Sequence, residues 1–335
     1  MEKKLFCLTG VIILSFILFS CNMDSGEDPS GDGELIIADH TVVDEYDKIP
    51  QQWINEVKKM WINIPGESHS QAYRTGLLLL AGIDARFAVN VTEAGSPESD
   101  TDLHLRVCRG VRTQHNSWSY GTGESVWYTN GTGIQTIKNH LLYCNTNNLD
   151  IAVIGFGWCW DMTWHNAPGG DPDPVYAVHW AGASEGGPQD DLRWGLDRGD
   201  ESLTGNPVCM NTYLEATEQY IAFCKDNGYS TKVVFTTGPV DGYTGENGYQ
   251  RHIKHEYIRD YVRKNNRILF DYADILCYDD DGSVNMTSWN GHSYPVITPT
   301  NLGDGSVGHI GNAGALRLAK AQWWMLARIA GWNGK

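Results

Sequence analysis

Ser68, in Gly66-Glu67-Ser68-His69-Ser70, and His309, in Gly308-His309-Ile310-Gly311-Asn312-Ala313-Gly314, are two side chains of this 335-residue chain that could share one reaction. A serine hydroxyl becomes a nucleophile when a base takes its proton, and an imidazole titrating near pH 6.5 suits both the taking and the return. Ser68 follows the apolar run Met60-Trp61-Ile62-Asn63-Ile64 and opens a segment of helical period, while His309 stands just before the last such segment. The start of a helix offers free N–H groups and the positive end of a dipole to a developing oxyanion. Structural roles remain open at this point. Ser68 with Gln71 three residues on has the form of a capping box, and a loop histidine can be a surface residue or a cap.

The elements around these residues alternate. Strands are predicted at 60 to 64, 86 to 91, 151 to 156, 232 to 236 and 267 to 270, most of them continuously apolar, as strands buried on both faces should be. Helices are predicted at 70 to 81, 134 to 147, 209 to 227, 248 to 265 and 312 to 330, the last stopped by Gly331. This order implies an α/β fold with a doubly wound parallel sheet, which places Ser68 and His309 at its carboxyl edge, where such sheets bind ligands. From 157 to 207 the rhythm fails, and a long irregular stretch rich in Gly, Pro, Asp and Trp is expected to cover part of the cleft.

Gly66-Glu67-Ser68 resembles the Gly-Asp-Ser block that opens the SGNH/GDSL hydrolases, with Glu for Asp. His309 with Asn312, Gly314 and the helix that follows is similar to the closing histidine block of that family. The resemblance covers roughly residues 55 to 332 in element order. It implies a flavodoxin-like five-stranded sheet flanked by helices, with Ser68 as nucleophile, His309 as general base and no cofactor. The family's oxyanion Asn, two residues after a Gly, is replaced by Cys159, whose thiol is a weak donor; Gly123 is the expected backbone donor, with Gly121 an alternative. The family's acid, three residues before the histidine, is replaced by Ser306, so Asp304 becomes the candidate third member, in a loop that Gly303 and Gly305 allow to bend.

Trp118, Trp127, Trp158, Trp160, Trp164, Trp180 and Trp194 fall on or near the loops predicted at the catalytic edge. Flat aromatic faces suit sugar rings, so Trp158, Trp160 and Trp164 are expected to bind substrate.

The chain opens Met1-Glu2-Lys3-Lys4, and the apolar run that follows is too short to span a bilayer. It reads as a signal peptide over 1–20, ending in Leu18-Phe19-Ser20-Cys21, similar to a bacterial lipobox whose cysteine takes a lipid. Residues 21–50, acidic and rich in Gly, Ser and Pro, are expected to form a flexible tether, leaving 51–335 as the hydrolase domain. Such an acidic stretch is similar to surface-export signals of Gram-negative lipoproteins, which points to the outer membrane or cell surface, though a plain linker fits equally well.

A net charge of -16 excludes nucleic acid as a partner. The cysteines contain no CxxC pair, so a structural zinc site is not expected, and the weaker metal signals that follow leave no metal expected. Cys209 and Cys224, if on one helix, lie about 22 Å apart along its axis and cannot pair. His252, His255 and Glu256 lack a metalloprotease spacing and read as a solvated helix face. Asp279-Asp280-Asp281-Gly282 reads as a turn.

Two functions follow. The first is an exported, lipid-anchored serine esterase removing acetyl or other acyl groups from carbohydrate. The second is a glycan-binding surface lipoprotein on the same fold without catalysis, suggested by Cys159 and the displaced acid.

Overall fold

The computed structural model describes residues 35–66, 68–93, 95, 98–112, 118–119, 128–158, 170–182, 193–240 and 244–335. In chain order the strands of the central sheet are β1 (Ile36–Ala38), β2 (Trp61–Asn63), β3 (Val89–Thr92), β4 (Leu105–Cys108), β5 (Val153–Ile154), β6 (Lys232–Val233), β7 (Phe235–Thr236) and β8 (Ile268–Phe270). Five of them lie in the order β3, β4, β2, β5, β6, every pair parallel. Val234 alone separates β6 from β7, which pairs in parallel with β8, and β8 pairs in parallel with β1.

Helices flank this sheet: α1 (Gln51–Lys58), α2 (Ser70–Ile83), α3 (Gly131–Thr146), α4 (Met210–Asp226), α5 (Gly245–Lys264), α6 (Tyr272–Cys277), α7 (Pro299–Leu302) and α8 (Asn312–Ile329). Because successive strand residues point to opposite faces, the sheet feeds two cores. Ile62, Val153, Val234 and Phe270 pack with α1, α2 and α8. Trp61, Ile154, Val233, Phe235 and Leu269 pack with α3, α4 and α5. The α/β architecture expected from the alternating elements is therefore present, with its helices within a few residues of their predicted bounds.

Three expectations about the fold change. The stretch 86 to 91 begins as a 3-10 turn, Ala85–Phe87, and only then becomes β3. β4, the strand between β3 and β2, escaped prediction because Arg106 interrupts Leu105-Arg106-Val107-Cys108. That arginine is nevertheless buried, its guanidinium donating to Lys59 O and pairing with Asp100 at the rim.

Part of the span expected to be tether, from residue 36 on, is instead built into the fold. Ile36–Ala38 joins the sheet as β1, and the 3-10 helix His40–Lys48 buries Val42 and Val43, each worth roughly 1.5–3 kcal/mol. His40 fastens this segment: its Nδ1 lies 2.5 Å from Asp274 Oδ2, and its ring stacks on Tyr278 at 3.4 Å. Beneath it, Arg259 holds Asp271 through two contacts of 2.6 and 2.8 Å, while Asp271 also accepts from the Thr237 hydroxyl and caps α6. A buried charge pair stays folded only with such complete hydrogen bonding.

Cys108, Cys144, Cys209, Cys224 and Cys277 are buried free thiols, and Cys209 and Cys224 sit at opposite ends of α4, as the helix required.

At the carboxyl end of β2, Asn63 is fully buried. Its Nδ2 donates to Cys108 O and Gly110 O, and its Oδ1 accepts from His140 Nε2, whose Nδ1 in turn accepts from the Arg112 amide. Both ring nitrogens are thus used by the neutral imidazole, and burial pushes its pKa from 6.5 down to about 3. A group that binds its proton only when unfolded stabilises the fold above pH 6.5 and loses that contribution as the pH falls toward 3. Stability should therefore decline below about pH 6.5, by up to ~1.4 kcal/mol per pH unit from this group. Urea unfolding at pH 7 and pH 5 should show a shallower decline in a His140→Gln variant.

Candidate active site

Ser68 occupies a turn between β2 and α2, and the chain around it approaches other backbone too closely for ordinary residues. Gly66 forms a parallel bridge with Gly157, which extends the β2–β5 pairing under the turn, and Gly157 N donates to Pro65 O at 2.8 Å. A Cβ on Gly157 would lie 2.2 Å from Ser70 Cβ, so only glycine fits where this strand passes beneath the helix start. Arg74, buried in α2, donates from Nη1 to Ser70 O and Ser70 Oγ at 2.7 Å and pairs with Glu93, locking the first helical turn.

The capping reading of Ser68 gives way here. Gln71 N bonds the backbone oxygen of Ser68 at 3.0 Å, and the serine hydroxyl meets an imidazole instead.

That imidazole is His309. Its Nε2 lies 2.8 Å from Ser68 Oγ, the separation of a hydroxyl donating to a ring nitrogen. Val307 and Ile310 exchange backbone hydrogen bonds of 2.9 and 3.2 Å, and the two residues between them, Gly308 and His309, have φ of 55° and 70°. Two positive φ values in a two-residue loop define a type I′ turn, which glycine and asparagine ordinarily supply. A histidine held there costs of order 1–3 kcal/mol, strain that clusters at functional sites. The turn is pressed onto the nucleophile, because a Cβ on Gly308 would stand 2.5 Å from Ser68 O. His69, buried in the same corner, lies 4.9 Å from the His309 ring and edge-on to Tyr272.

The loop is anchored from behind. Gly311 N donates to Asn301 O, while the buried Asn301 side chain donates to Leu276 O and Tyr278 O at the end of α6.

Asp304 takes no part in this arrangement. It is exposed and its Oδ1 accepts from Ser306 N at 3.1 Å and Ser306 Oγ at 2.7 Å, bonds that hold its carboxyl below the usual range and turn it away from His309. The two glycines bend the loop into this local turn, which satisfies the carboxylate two residues on. The expected third member is corrected accordingly.

Trp158 is corrected as well. It is 1% exposed, donates from Nε1 to Thr236 O at 3.0 Å, and packs against Phe156, Trp194 and Tyr213. Trp180 and Trp194 are equally buried; Lys254 lies over the Trp180 ring and donates to Ala181 O at 2.7 Å, stapling that part of the long irregular segment to α5. Trp118 packs on Trp61 and His140. The expected oxyanion donors Gly123 and Cys159, the alternative Gly121, and Trp127, Trp160, Trp164 and the lipidation residue Cys21 lie outside the described residues.

Arg109 was missed by sequence reasoning. Its Nε donates to Gly66 O at 3.0 Å, bracing the nucleophile's turn from the end of β4. Recognising β4 would have placed it at the same edge as Ser68. Among the described residues one group of metal-capable side chains comes together, Asp39, His40 and Asp274, and there His40 is bonded directly to Asp274. The helix face carrying His255 is buried rather than solvated.

No family model matches the sequence, and none of the curated proteins matches it. Among solved structures the chain is similar to a protein assigned to the G-D-S-L family of lipolytic proteins from Desulfitobacterium hafniense DCB-2. The match has 9% identity and covers 81% of this chain and 99% of that one, with a TM-score of 0.35. At that level the chemistry rests on this chain's own geometry.

A serine hydroxyl at 2.8 Å from an imidazole, beside the start of a helix, can deliver an alkoxide to an electrophilic carbonyl or phosphoryl centre. Gly308→Ala should lower kcat on a small ester at least a hundredfold with the fold intact by circular dichroism, since the added methyl must push the turn off Ser68. Asp304→Asn should leave kcat within about threefold, whereas His309→Ala should remove turnover.

Proposed function

We propose that this chain is a serine ester hydrolase in which Ser68 is the nucleophile and His309 the general base. The observation that carries the proposal is the 2.8 Å contact between Ser68 Oγ and His309 Nε2, made from a turn that holds the histidine at a positive φ. In the reaction Nε2 takes the hydroxyl proton as Oγ attacks the ester carbonyl. The tetrahedral intermediate then collapses as the imidazolium returns that proton to the leaving alcohol. Water, activated by the same nitrogen, hydrolyses the acyl-serine and restores the hydroxyl. The dipole of α2, whose first turn carries no side-chain cap, supplies positive potential where the oxyanion forms.

The finer reading is that the substrate is an acylated carbohydrate. With Trp158, Trp180 and Trp194 assigned to the core, what supports it in the long segment is Trp160 and Trp164, together with the abundance of Gly and Asp around them. The same proposal has the protein exported by its signal peptide and anchored through a lipid on Cys21, facing carbohydrate at the outer membrane or cell surface.

Purified protein is expected to hydrolyse p-nitrophenyl acetate and to release acetate from an acetylated polysaccharide. Ser68→Ala should reduce both at least a thousandfold. Absence of turnover on both substrates, or an unaffected Ser68→Ala variant, would leave the glycan-binding reading in its place.

A further inference from the structure

A cleft of about 450 Å3 lies along the outer face of α5, roofed by the hairpin of Met286–Trp289 and His292–Pro295. That volume falls within the range of about 300–1,000 Å3 typical of ligand sites. Its helical wall presents Tyr249, His252, Glu256, Tyr257 and Asp260, the last four lying three, seven, eight and eleven residues beyond the first, and the hairpin adds Gly291, His292 and Ser293. From Tyr249 to Asp260 the helix rises roughly 16 Å at 1.5 Å per residue. α5 follows β7, so the cleft starts near the carboxyl edge of the sheet and runs down the flank of the domain.

The lining narrows the ligand. The exposed His292 ring is backed by the buried Tyr249, stacked on it at 4.7 Å and 13°, and Tyr257 adds a second, half-buried ring. Such faces cover apolar faces of a ligand ring. Between them stand hydrogen-bonding groups. Glu256 and Asp260 accept, while burial keeps His252 below the ordinary imidazole range, so its ring is neutral and offers both a donor and an acceptor. Arg259, shared between Glu256 and Asp271, and Arg263, 3.5 Å from Asp260, offset only part of the negative charge of this wall. An anion is therefore disfavoured in a chain of net charge -16, while the carboxylates remain acceptors for hydroxyl groups.

We infer that this cleft binds a neutral oligosaccharide, whose rings alternate apolar faces with hydroxyl edges. Its polar and apolar groups match those two features of a sugar. The binding is separate from Ser68 chemistry and holds a polymer against the domain whether or not an ester on it is cleaved.

Affinity electrophoresis of the purified protein through gels containing xylan, glucomannan or mixed-linkage β-glucan tests it. At least one polysaccharide should retard the wild type. His292→Ala and Tyr257→Ala should each weaken that retardation at least fivefold, while Tyr257→Phe, which keeps the ring, should retain most of it. Turnover of p-nitrophenyl acetate should stay within twofold in all three, which also reports that they are folded. No retardation of the wild type, retardation equal in wild type and both alanine variants, or retardation abolished by added salt would overturn the inference. Retardation without ester turnover would sink the hydrolase reading alone, and turnover without retardation the cleft alone.

Discussion

Ser68 and His309 are separated by 241 residues, and behind their side-chain contact lies a close approach of backbone to backbone. Gly308 sits so close to the Ser68 carbonyl that no side chain can intervene, and Gly157 passes as tightly beneath Ser70. Those two approaches fix the nucleophile's turn from opposite sides. Once they are made, the two turns that carry the hydroxyl and the imidazole are held against one another. The left-handed conformation of His309 follows from the same constraint, since a tight reversal must fit between Val307 and Ile310.

Around this contact the chain buries an unusual amount of charge. Arg74, Arg106 and Arg259 are each under a tenth exposed, and each ties two elements together through carbonyls or carboxylates. Arg74 fixes the start of α2 and Arg259 joins α5 to the end of β8. Arginine suits this work because its planar fork satisfies several acceptors at once and its charge never leaves. Arg109 extends the pattern to Gly66, with one bond placed beside the nucleophile.

Much of this was legible from residue order. A serine after an apolar strand, opening a helix, and a histidine before the last helix can hardly avoid the same rim in a parallel sheet. What was hidden had local causes. Arg106 disguised β4 and with it Arg109, because a buried arginine breaks an apolar run that its stem and distant pairing repair. Trp158 looked like a loop residue because glycines precede it, yet those glycines let the chain dive into the core. Val42 and Val43 were drowned among acids, whose side chains face outward. Asp304 was the nearest acid in sequence, but a turn that satisfies itself had no need of the histidine.

The placement of β1 bears on when this molecule becomes whole. Ile36 pairs with Ile268, so the first strand of the fold must wait for one of the last before it has a neighbour on the sheet. A chain emerging from its N-terminus has no partner for that strand until most of the domain has been made. Closing so long a loop is entropically slow compared with local contacts. The sheet is thus completed late, by the joining of its two chain ends. The nucleophile gains its base on the same schedule, leaving the hydroxyl without its imidazole throughout synthesis.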